Sequence, residues 1–291
     1  MVKRTISGQR PIDWHNEIGI ALQMAILNTL SPETISGEPH LSDFNTVEQF
    51  IFPDENYQVA TLPKTANQSL LSPHQINNDI ISSNNTSYCN NLNGSLDSKI
   101  EPFEVKIYGQ KAFRHFFHIF NTNESKFLQS IGDPETTPLI TIGNINNSSS
   151  DFWRTHDDNY LIKTLEKEEA EFLKKLLPAY YVSLHNNRNT LLPKFFGLFQ
   201  LKLKSWGKPI RLVIMNNLVP TNLDIDSKFD LKGSSHGRNA IKTQSFEEYS
   251  KTLKDNDFRE LFKDKASSIP EGIHLEPHHY AYLLGIGLGF F

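Results

Sequence analysis

One lysine in the chain has neighbours that would suit it to neutralise a nucleotide phosphate. Lys163 lies in the strand-like segment Leu-Ile-Lys-Thr, and Glu171 lies in the strongly helical segment that follows. A lysine ammonium group is a point charge on a flexible stem, so it needs a carboxylate to orient it toward a phosphate. We expect Glu171 to be that carboxylate. Spacing alone leaves the alternative open that Lys163 is an ordinary solvent-facing strand residue.

The polar loop before this strand could cover the phosphates. Residues 144–151 are rich in small polar side chains, and this composition provides backbone N–H donors as well as hydroxyl groups. The hydroxyl donors that we expect to face the nucleotide phosphates are Ser148, Ser149 and Ser150. An ordinary turn is the alternative interpretation of the loop.

A second candidate site is the segment 228–238, which reads KFDLKGSSHGR. Its glycines permit a tight backbone that could gather cations toward an anionic group, while Asp230 holds one of those cations. The members that could act are Asp230, Lys232, Ser234 and Arg238. The pattern therefore predicts a phosphate site. A solvated polar loop, with ion pairs that contribute about 0–1 kcal/mol, is the alternative.

Composition excludes several classes of protein. The 291 residues carry 29 Lys+Arg and 33 Asp+Glu, a formal net charge of -4 that argues against broad nucleic-acid binding. The single cysteine, Cys89, fits a reducing compartment, and no apolar run reaches the ~20 residues of a membrane span. No metal site is expected, because no zinc-like spacing accompanies the 11 histidines. We expect a cytoplasmic protein that is soluble or peripheral.

Hydrophobic periodicity predicts the elements that would position both sites. Residues 12–30 predict an amphipathic helix, and residues 54–98 are polar and turn-rich, as in a flexible insertion. Helices are also predicted around 113–120, after residue 166 and at 246–263, and strands at 103–107, 139–142, 160–165 and on both sides of the turn Ser205-Trp206-Gly207. The segment from Phe103 to Pro220 thus predicts one antiparallel sheet with helices, an α+β fold.

The ordered series of motifs resembles the phosphatidylinositol phosphate kinase family. FDLKGS follows VIMNNLVP, which follows the long run from YLIKTL to TLLPKFFGLF, and the wording is most like the type I branch, the phosphatidylinositol 4-phosphate 5-kinases. The resemblance extends from about Ile18 to about Leu284, except in the Asn-rich insertion. It implies a kinase-like ATP-binding lobe of antiparallel sheet with helices and the incomplete start of a second lobe.

The resemblance also implies a division of the chain into domains. The expected parts are an N-terminal helix and strand at 1–53, the flexible insertion at 54–100, the ATP-binding lobe at 101–220, the start of the second lobe with the DLKGS segment at 221–284, and a divergent tail at 285–291.

Residue roles follow from the resemblance by position. Lys163 would match the ATP-phosphate lysine and Glu171 its helix partner. The hinge that receives adenine through backbone groups would be Asn216, Asn217 and Leu218, and the residues that line the cleft near the phosphates and the inositol head group would be Asp230, Lys232 and Arg238. The implied reaction moves the ATP γ-phosphoryl group to the 5-hydroxyl of phosphatidylinositol 4-phosphate, with magnesium as the metal ion. The implied setting is a peripheral position on the inner face of the plasma membrane, with a dimer as one assembly.

Two departures from the family pattern bear on activity. The loop at 144–151 has less glycine than the pattern, and Asp151 would add a negative charge beside the phosphates, so we expect weakened ATP binding. The resemblance stops near Leu284, before the family's magnesium-binding carboxylate and activation loop, so we expect a truncated and inactive kinase. The alternative is a non-catalytic protein that binds phosphoinositide membranes or pairs with a complete kinase.

Overall fold

The computed structural model describes residues 14–30, 37–52, 101–143, 150–188, 190–219, 227–241, 252–263 and 276–281. The predictions for the insertion at 54–98, for Ser148 and Ser149, and for the tail at 285–291 lie outside these residues.

The described residues form helices and mostly short strands. The helices are α1 (Trp14–Thr29), α2 (Gln110–Ile119), α3 (Glu124–Ile131), α4 (Lys167–Asn186) and α5 (Asp255–Lys263), with a 3-10 helix at Leu41–Asn45. The strands are β1 (Val47–Phe52), β2 (Phe103–Tyr108), β3 (Ile140–Gly143), β4 (Phe152–Arg154), β5 (Tyr160–Leu165), β6 (Phe195–Leu203), β7 (Ile210–Asn216), β8 (Phe229–Asp230) and β9 (Leu253–Lys254).

The first seven strands form one sheet in the order β1-β2-β6-β7-β5-β4-β3. All neighbouring strands in it are antiparallel. The α+β prediction is confirmed, and the sheet reaches beyond the predicted segment because β1 joins it at one edge. The two-residue strands β8 and β9 form a separate parallel pair.

Different helices cover the two faces of the large sheet. On one face, α1 and α3 share a core with Ile162, Leu212 and Ile214. On the other face, α2 and α4 pack over Leu198 and Val213. Because successive strand residues point to opposite faces, each face of β5 and β7 belongs to a different layer of the molecule. The sheet therefore separates two cores, and the face that a side chain occupies decides which helices it can meet.

Helix α1 is buried more completely than the predicted amphipathic pattern implies. Residues 21–27 are all buried, including the polar side chain of Gln23. The side-chain amide nitrogen of Gln23 lies 2.8, 3.1 and 2.9 Å from the carbonyl oxygens of Ile131, Gly132 and Thr137. A buried amide needs such partners to offset its lost hydration. The segment after α3 thus covers a side of α1 that the sequence pattern assigned to solvent.

Three further elements differ from the sequence prediction. Strand β4, between β3 and β5, and helix α3, after α2, lie in segments for which the sequence pattern predicted no strand or helix. Within the helix predicted at 246–263, Leu253 and Lys254 instead pair with β8 and α5 begins at Asp255, whereas residues 246–251 lie outside the described residues. The aromatic stripe of α2 is core as predicted, with Phe113, Phe116 and Phe117 buried.

Candidate functional site

Lys163 lies on the α4 side of the large sheet. It pairs in register with Val213, and Val213 belongs to the core beneath α2 and α4. Its ammonium nitrogen lies 3.2 Å from Glu169 Oε1. The other carboxylate oxygen of Glu169 accepts a hydrogen bond from the backbone N–H of Glu166 at 2.9 Å, at the start of α4. Mainly this backbone hydrogen bond, and then Lys163, keeps the pKa of Glu169 below its ordinary value.

The predicted pairing of Lys163 with Glu171 is not the contact that the structure has. Glu171 binds Lys174 at 2.7 Å on the same helix, and that hydrogen bond is the main cause that lowers the pKa of Glu171. Residues that are two positions apart in an α-helix differ by about 200° around its axis, so Glu169 and Glu171 point in nearly opposite directions. The prediction of a carboxylate partner for Lys163 is therefore correct, but the choice of residue is wrong, because the partner is Glu169 and not Glu171.

Asp151 faces away from Lys163. Phe152 pairs in register with Lys163, so the adjacent Asp151 lies on the opposite face of the sheet. There its carboxylate lies 3.4 Å from His15 Nε2 on α1. The prediction that Asp151 adds a negative charge beside phosphates bound at Lys163 is therefore wrong, because the two side chains lie on opposite faces of the sheet. Ser150, the one loop serine within the described residues, is buried.

The predicted hinge lies at the end of β7, where its two asparagines fix the neighbouring backbone. Asn216 Oδ1 accepts the backbone N–H of Lys194 at 2.8 Å, and the Asn217 side-chain amide donates to the carbonyl oxygen of Asp158 at 2.9 Å. Leu218, which follows, is exposed. The asparagine side chains thus brace this end of the sheet and leave recognition of a ligand to other groups.

The sheet sets the distance between the hinge and Lys163. Tyr160 pairs with Asn216, and Lys163 pairs with Val213, so the two positions are three residues apart along β5. A strand rises by about 3.3 Å per residue, which separates them by about 10 Å. The hinge and Lys163 therefore belong to one rigid element.

The structure brings three charged residues of the second predicted cluster, Asp230, Lys232 and Arg238, into contact. Asp230 contacts Lys232 Nζ at 2.9 Å and Arg238 Nη2 at 3.3 Å. Gly233 and Gly237 have φ angles of 68° and 66°, the left-handed conformation that glycine adopts most readily. Mainly Lys232, and then Arg238, lowers the pKa of Asp230. The charged side chains of the loop therefore pair with one another.

A residue that the sequence interpretation missed holds this loop in place. Asp255 is the first residue of α5, and its Oδ1 accepts the backbone N–H groups of Lys232, Gly233 and Ser234 at 2.9, 2.8 and 3.3 Å. Its Oδ2 lies 2.8 Å from Arg238 Nε. The guanidinium group of Arg238 is the largest cause that lowers the pKa of Asp255. The tight backbone predicted to attract a phosphate is thus occupied by a carboxylate of the chain itself.

Asp257 has a related role one half-turn later. Its carboxylate accepts the backbone N–H groups of Ala240 at 2.7 Å, Ile241 at 3.2 Å and Lys254 at 2.8 Å. The only sequence signal for either residue is the Asp-Asn-Asp run at the start of α5. That run reads equally well as an ordinary acidic helix start.

The described residues do not by themselves provide a site for a metal ion. Across the described ranges, no group of three His, Cys, Asp or Glu side chains is placed to hold one. The carboxylates of the second cluster are engaged with Lys232, Arg238 and backbone N–H groups.

A polar cavity of about 650 Å³ lies at the hinge end of the sheet. Its lining includes Lys126, Asp157, Tyr160, Lys194 and Asn216. Tyr160 belongs to the core of α1 and α3. The cavity therefore opens beside the face opposite Lys163. Among the predicted site residues within the described ranges, only Asn216 reaches it.

Comparison with known families identifies the family of the chain. A sequence model described as Phosphatidylinositol-4-phosphate 5-Kinase matches residues 134–286, which include Lys163, the hinge and the 228–238 loop. The chain belongs to this family.

Individual relatives carry the same family name. Phosphatidylinositol 4-phosphate 5-kinase type-1 alpha of Rattus norvegicus is 34% identical over 267 residues, which cover 90% of this chain and 40% of the relative. Type-1 sktl of Drosophila melanogaster is 43% identical over 182 residues, 62% of this chain and 21% of the relative. Type-1 beta of Homo sapiens is 39% identical over 182 residues, 62% of this chain and 31% of the relative. The chain thus spans less than half the length of these relatives.

Proposed function

We propose that the chain supplies the ATP-binding part of a phosphatidylinositol 4-phosphate 5-kinase. The observation that carries this proposal is the ion pair of Lys163 with Glu169, at 3.2 Å on a rigid sheet face about 10 Å from the hinge. Both positions lie inside the segment that the family model matches. An oriented ammonium group at that distance suits the phosphates of a nucleotide whose base lies at the hinge.

Side chains on the Lys163 face support a place for adenine. Leu161 pairs in register with Met215 and with Arg154, and Arg154 pairs with Ile140. Leu161 and Met215 are partly exposed, and Ile140 is exposed. A purine ring could bury its flat apolar surface against these side chains. Leu218 would then lie at the hinge end of the ring, and Lys163 would lie toward the phosphates.

The proposed reaction is an in-line phosphoryl transfer. The 5-hydroxyl oxygen of phosphatidylinositol 4-phosphate forms a bond to the γ-phosphorus of ATP while the bond to the β–γ bridging oxygen breaks. The hydroxyl proton leaves, and the products are the 4,5-bisphosphate and ADP. Lys163 would offset the phosphate charge, and Lys232 would attract the anionic head group while Asp230 and Arg238 hold the loop. Magnesium, which the family resemblance implies, would help to offset the charge gathered on the phosphates. The residues that would hold it stay unassigned, because no three-member group among the described residues is placed to do so.

The setting of this reaction is part of the proposal. We place the enzyme peripherally on the inner face of the plasma membrane, where its lipid substrate would be reached through exposed cations such as Lys232. In the described part of the chain, no helix has the length and apolar character needed to cross a membrane. The kinase-like first lobe at 101–220 and the start of a second lobe at 221–284 stay predictions.

A dimer also stays a prediction. Strand β1 lies at an edge of the sheet, and Val47 and Ile51 on it are exposed. Sedimentation of the purified chain over a range of concentrations would measure its mass. A mass near 33.3 kDa at all concentrations would reject the dimer.

The experiment for the proposed function uses polypeptide purified from its own cells. Vesicles of phosphatidylcholine with phosphatidylinositol 4-phosphate and labelled ATP should yield labelled bisphosphate. Lys163→Met should abolish the label, and Lys208→Met, which changes an exposed lysine of the β6–β7 turn, should retain it. Absence of label with an unaltered polypeptide that mass spectrometry shows to contain the family's segments beyond Leu284 would reject the lipid kinase function, whereas a shorter polypeptide is expected to be inactive.

A second candidate function is favoured by the exposure of Lys232. Its side chain is 63% exposed, which suits contact with an anionic membrane without catalysis. Vesicle sedimentation distinguishes the two functions. Binding to phosphoinositide vesicles without ATP turnover would support a non-catalytic binding protein or a partner of a complete kinase.

A further inference from the structure

We propose that Asp255 is a positioning residue that holds the 228–238 loop in the conformation that presents Lys232 to an anionic head group. This inference rests on the proposed function and adds to it a residue outside the loop. Asp255 would act through Lys232 and Arg238 without touching the substrate.

The contacts of Asp255 are directed at the loop. Its carboxylate accepts backbone N–H groups from residues 232–234, which lie 21 to 23 positions earlier in the chain. An acidic residue at a helix start ordinarily stabilises the N–H groups of its own first turn. Here the same carboxylate joins α5 to three consecutive N–H groups of a glycine turn. Its second oxygen binds Arg238 at 2.8 Å.

Burial makes the loop and the carboxylate depend on each other. Asp255 is only 7% exposed, and a carboxylate at such a position is costly without charged and hydrogen-bonded partners. Arg238, in turn, lies between Asp255 and Asp230. Removing the carboxylate leaves three N–H groups and one guanidinium group without that acceptor.

Loss of the Asp255 carboxylate would change the position of the Lys232 side chain. Its backbone N–H is held by Asp255, whereas its ammonium group contacts Asp230 at 2.9 Å and is mostly exposed. At the next residue, Gly233, no atom of the described residues outside its immediate chain neighbours lies within 4 Å of the position that a Cβ would take, so the described side chains leave this turn room to move. Without Asp255, the turn can rotate at this glycine and redirect the ammonium group.

Asp257 provides a matched comparison on the same helix. It is also buried and also accepts three backbone N–H groups, but those groups belong to Ala240, Ile241 and Lys254. A general contribution to the stability of α5 is therefore expected of both residues. Control of the turn at 232–234 is expected of Asp255 alone.

The first test measures amide hydrogen exchange, which needs no catalytic activity. In Asp255→Asn, exchange at residues 232–234 should become faster by about tenfold or more, while in Asp257→Asn it should stay near the wild-type rate. Glu260→Gln, an exposed change of the same charge on α5, is the control. Unchanged exchange in Asp255→Asn, or equal acceleration in both aspartate variants, would overturn the proposal.

The second test separates positioning from stability by kinetics. Asp255→Asn should raise the KM for phosphatidylinositol 4-phosphate in vesicles by about tenfold and leave the KM for ATP unchanged. A merely structural defect would instead lower kcat through a smaller folded fraction, with both KM values unchanged, and would overturn the proposal. If Asp255→Asn does not fold, Arg238→Lys provides a second variant. It keeps the positive charge but removes the guanidinium group that contacts Asp255, and it should show the same exchange and KM pattern.

The two proposals fail in different ways. A wild-type polypeptide that contains the family's segments beyond Leu284 but has no lipid kinase activity would reject the proposed function, and the exchange test would still decide whether Asp255 holds the turn. An active wild-type enzyme with unchanged exchange in Asp255→Asn would reject the positioning role alone.

Discussion

The two candidate regions solve the placement of a lysine in opposite ways. Lys163 belongs to a seven-stranded sheet, which fixes its backbone, and a carboxylate only six residues away orients its side chain. Lys232 lies in a loop whose backbone is itself held by a distant carboxylate, Asp255. In the first region the sheet fixes the main chain, and a nearby carboxylate only orients the lysine side chain. In the second, a side chain determines the main chain.

This difference predicts different sensitivities. The Lys163 region should tolerate loss of its carboxylate, because the sheet remains. The Lys232 region should lose its shape when its carboxylate is removed or protonated, because a two-residue strand pair is too short to hold the loop.

The largest expected effect is at Lys163 itself. Lys163→Met should lower phosphorylation of phosphatidylinositol 4-phosphate by about a thousandfold, since the charge that offsets the phosphates is lost. Circular dichroism should be unchanged, because the residue lies on a sheet face whose main-chain pairing is intact. Retention of more than a tenth of wild-type activity would contradict the role proposed for Lys163.

Acid should separate the two regions next. The pKa values of Asp255 and Asp230 are lowered, mainly by Arg238 and by Lys232 respectively. A group with a lowered folded-state pKa contributes stability above its unfolded pKa, near 4, and that stability is lost as the pH falls through the folded pKa. The 228–238 loop should therefore lose protection from hydrogen exchange below about pH 4, before the large sheet opens. Simultaneous loss in both regions would contradict this order.

A pair of glycine substitutions gives a smaller and more local test. Gly233 and Gly207 both have φ near +70°, and in the described part of the chain no atom beyond their immediate neighbours lies within 4 Å of either Cβ position. Alanine at either site should therefore cost about 1 kcal/mol from backbone strain alone. Gly207→Ala should lower the unfolding midpoint in urea, since it strains the β6–β7 turn. Gly233→Ala should leave the midpoint unchanged and accelerate exchange in its loop.

The smallest effect is expected at the partner of Lys163. Glu169→Gln should weaken binding of ATP by about two- to fivefold, the range of a partly exposed ion pair. Glu171→Gln should have almost no effect, because Glu171 binds Lys174. Isothermal titration with a non-hydrolysable ATP analogue would measure both. A larger loss in Glu171→Gln would restore the partner expected from the sequence.

The elements with strong periodicity could be predicted from the sequence. Strand β5, the helix α2 with its phenylalanines and the β6–β7 turn at Ser205-Trp206-Gly207 all follow from local patterns. Strand β4 could not, because it has only three residues and its pairing comes from β3 and β5. Its stability lies in the neighbouring strands, which a local pattern does not contain.

The candidate site likewise contains residues that could be predicted from local sequence patterns and residues that could not. The residue types and glycines of the 228–238 loop follow from the sequence, since the interacting side chains lie within eight residues. Asp255 could not be found this way, because its partners are backbone groups, which every residue has. Choosing Glu169 over Glu171 required the first turn of α4, and helix boundaries are the least certain part of a periodic pattern.

The bonds of Gln23 have a consequence for the order of synthesis. The carbonyl oxygens that its side chain approaches belong to residues 131, 132 and 137, more than 100 positions later in the chain. At about 5–20 residues per second, a ribosome needs roughly 5–20 s to make that stretch. During this time α1, with its many apolar residues, has neither these partners nor strand β6 to cover it. While its partners are being synthesised, α1 therefore exposes an apolar surface that a chaperone could bind.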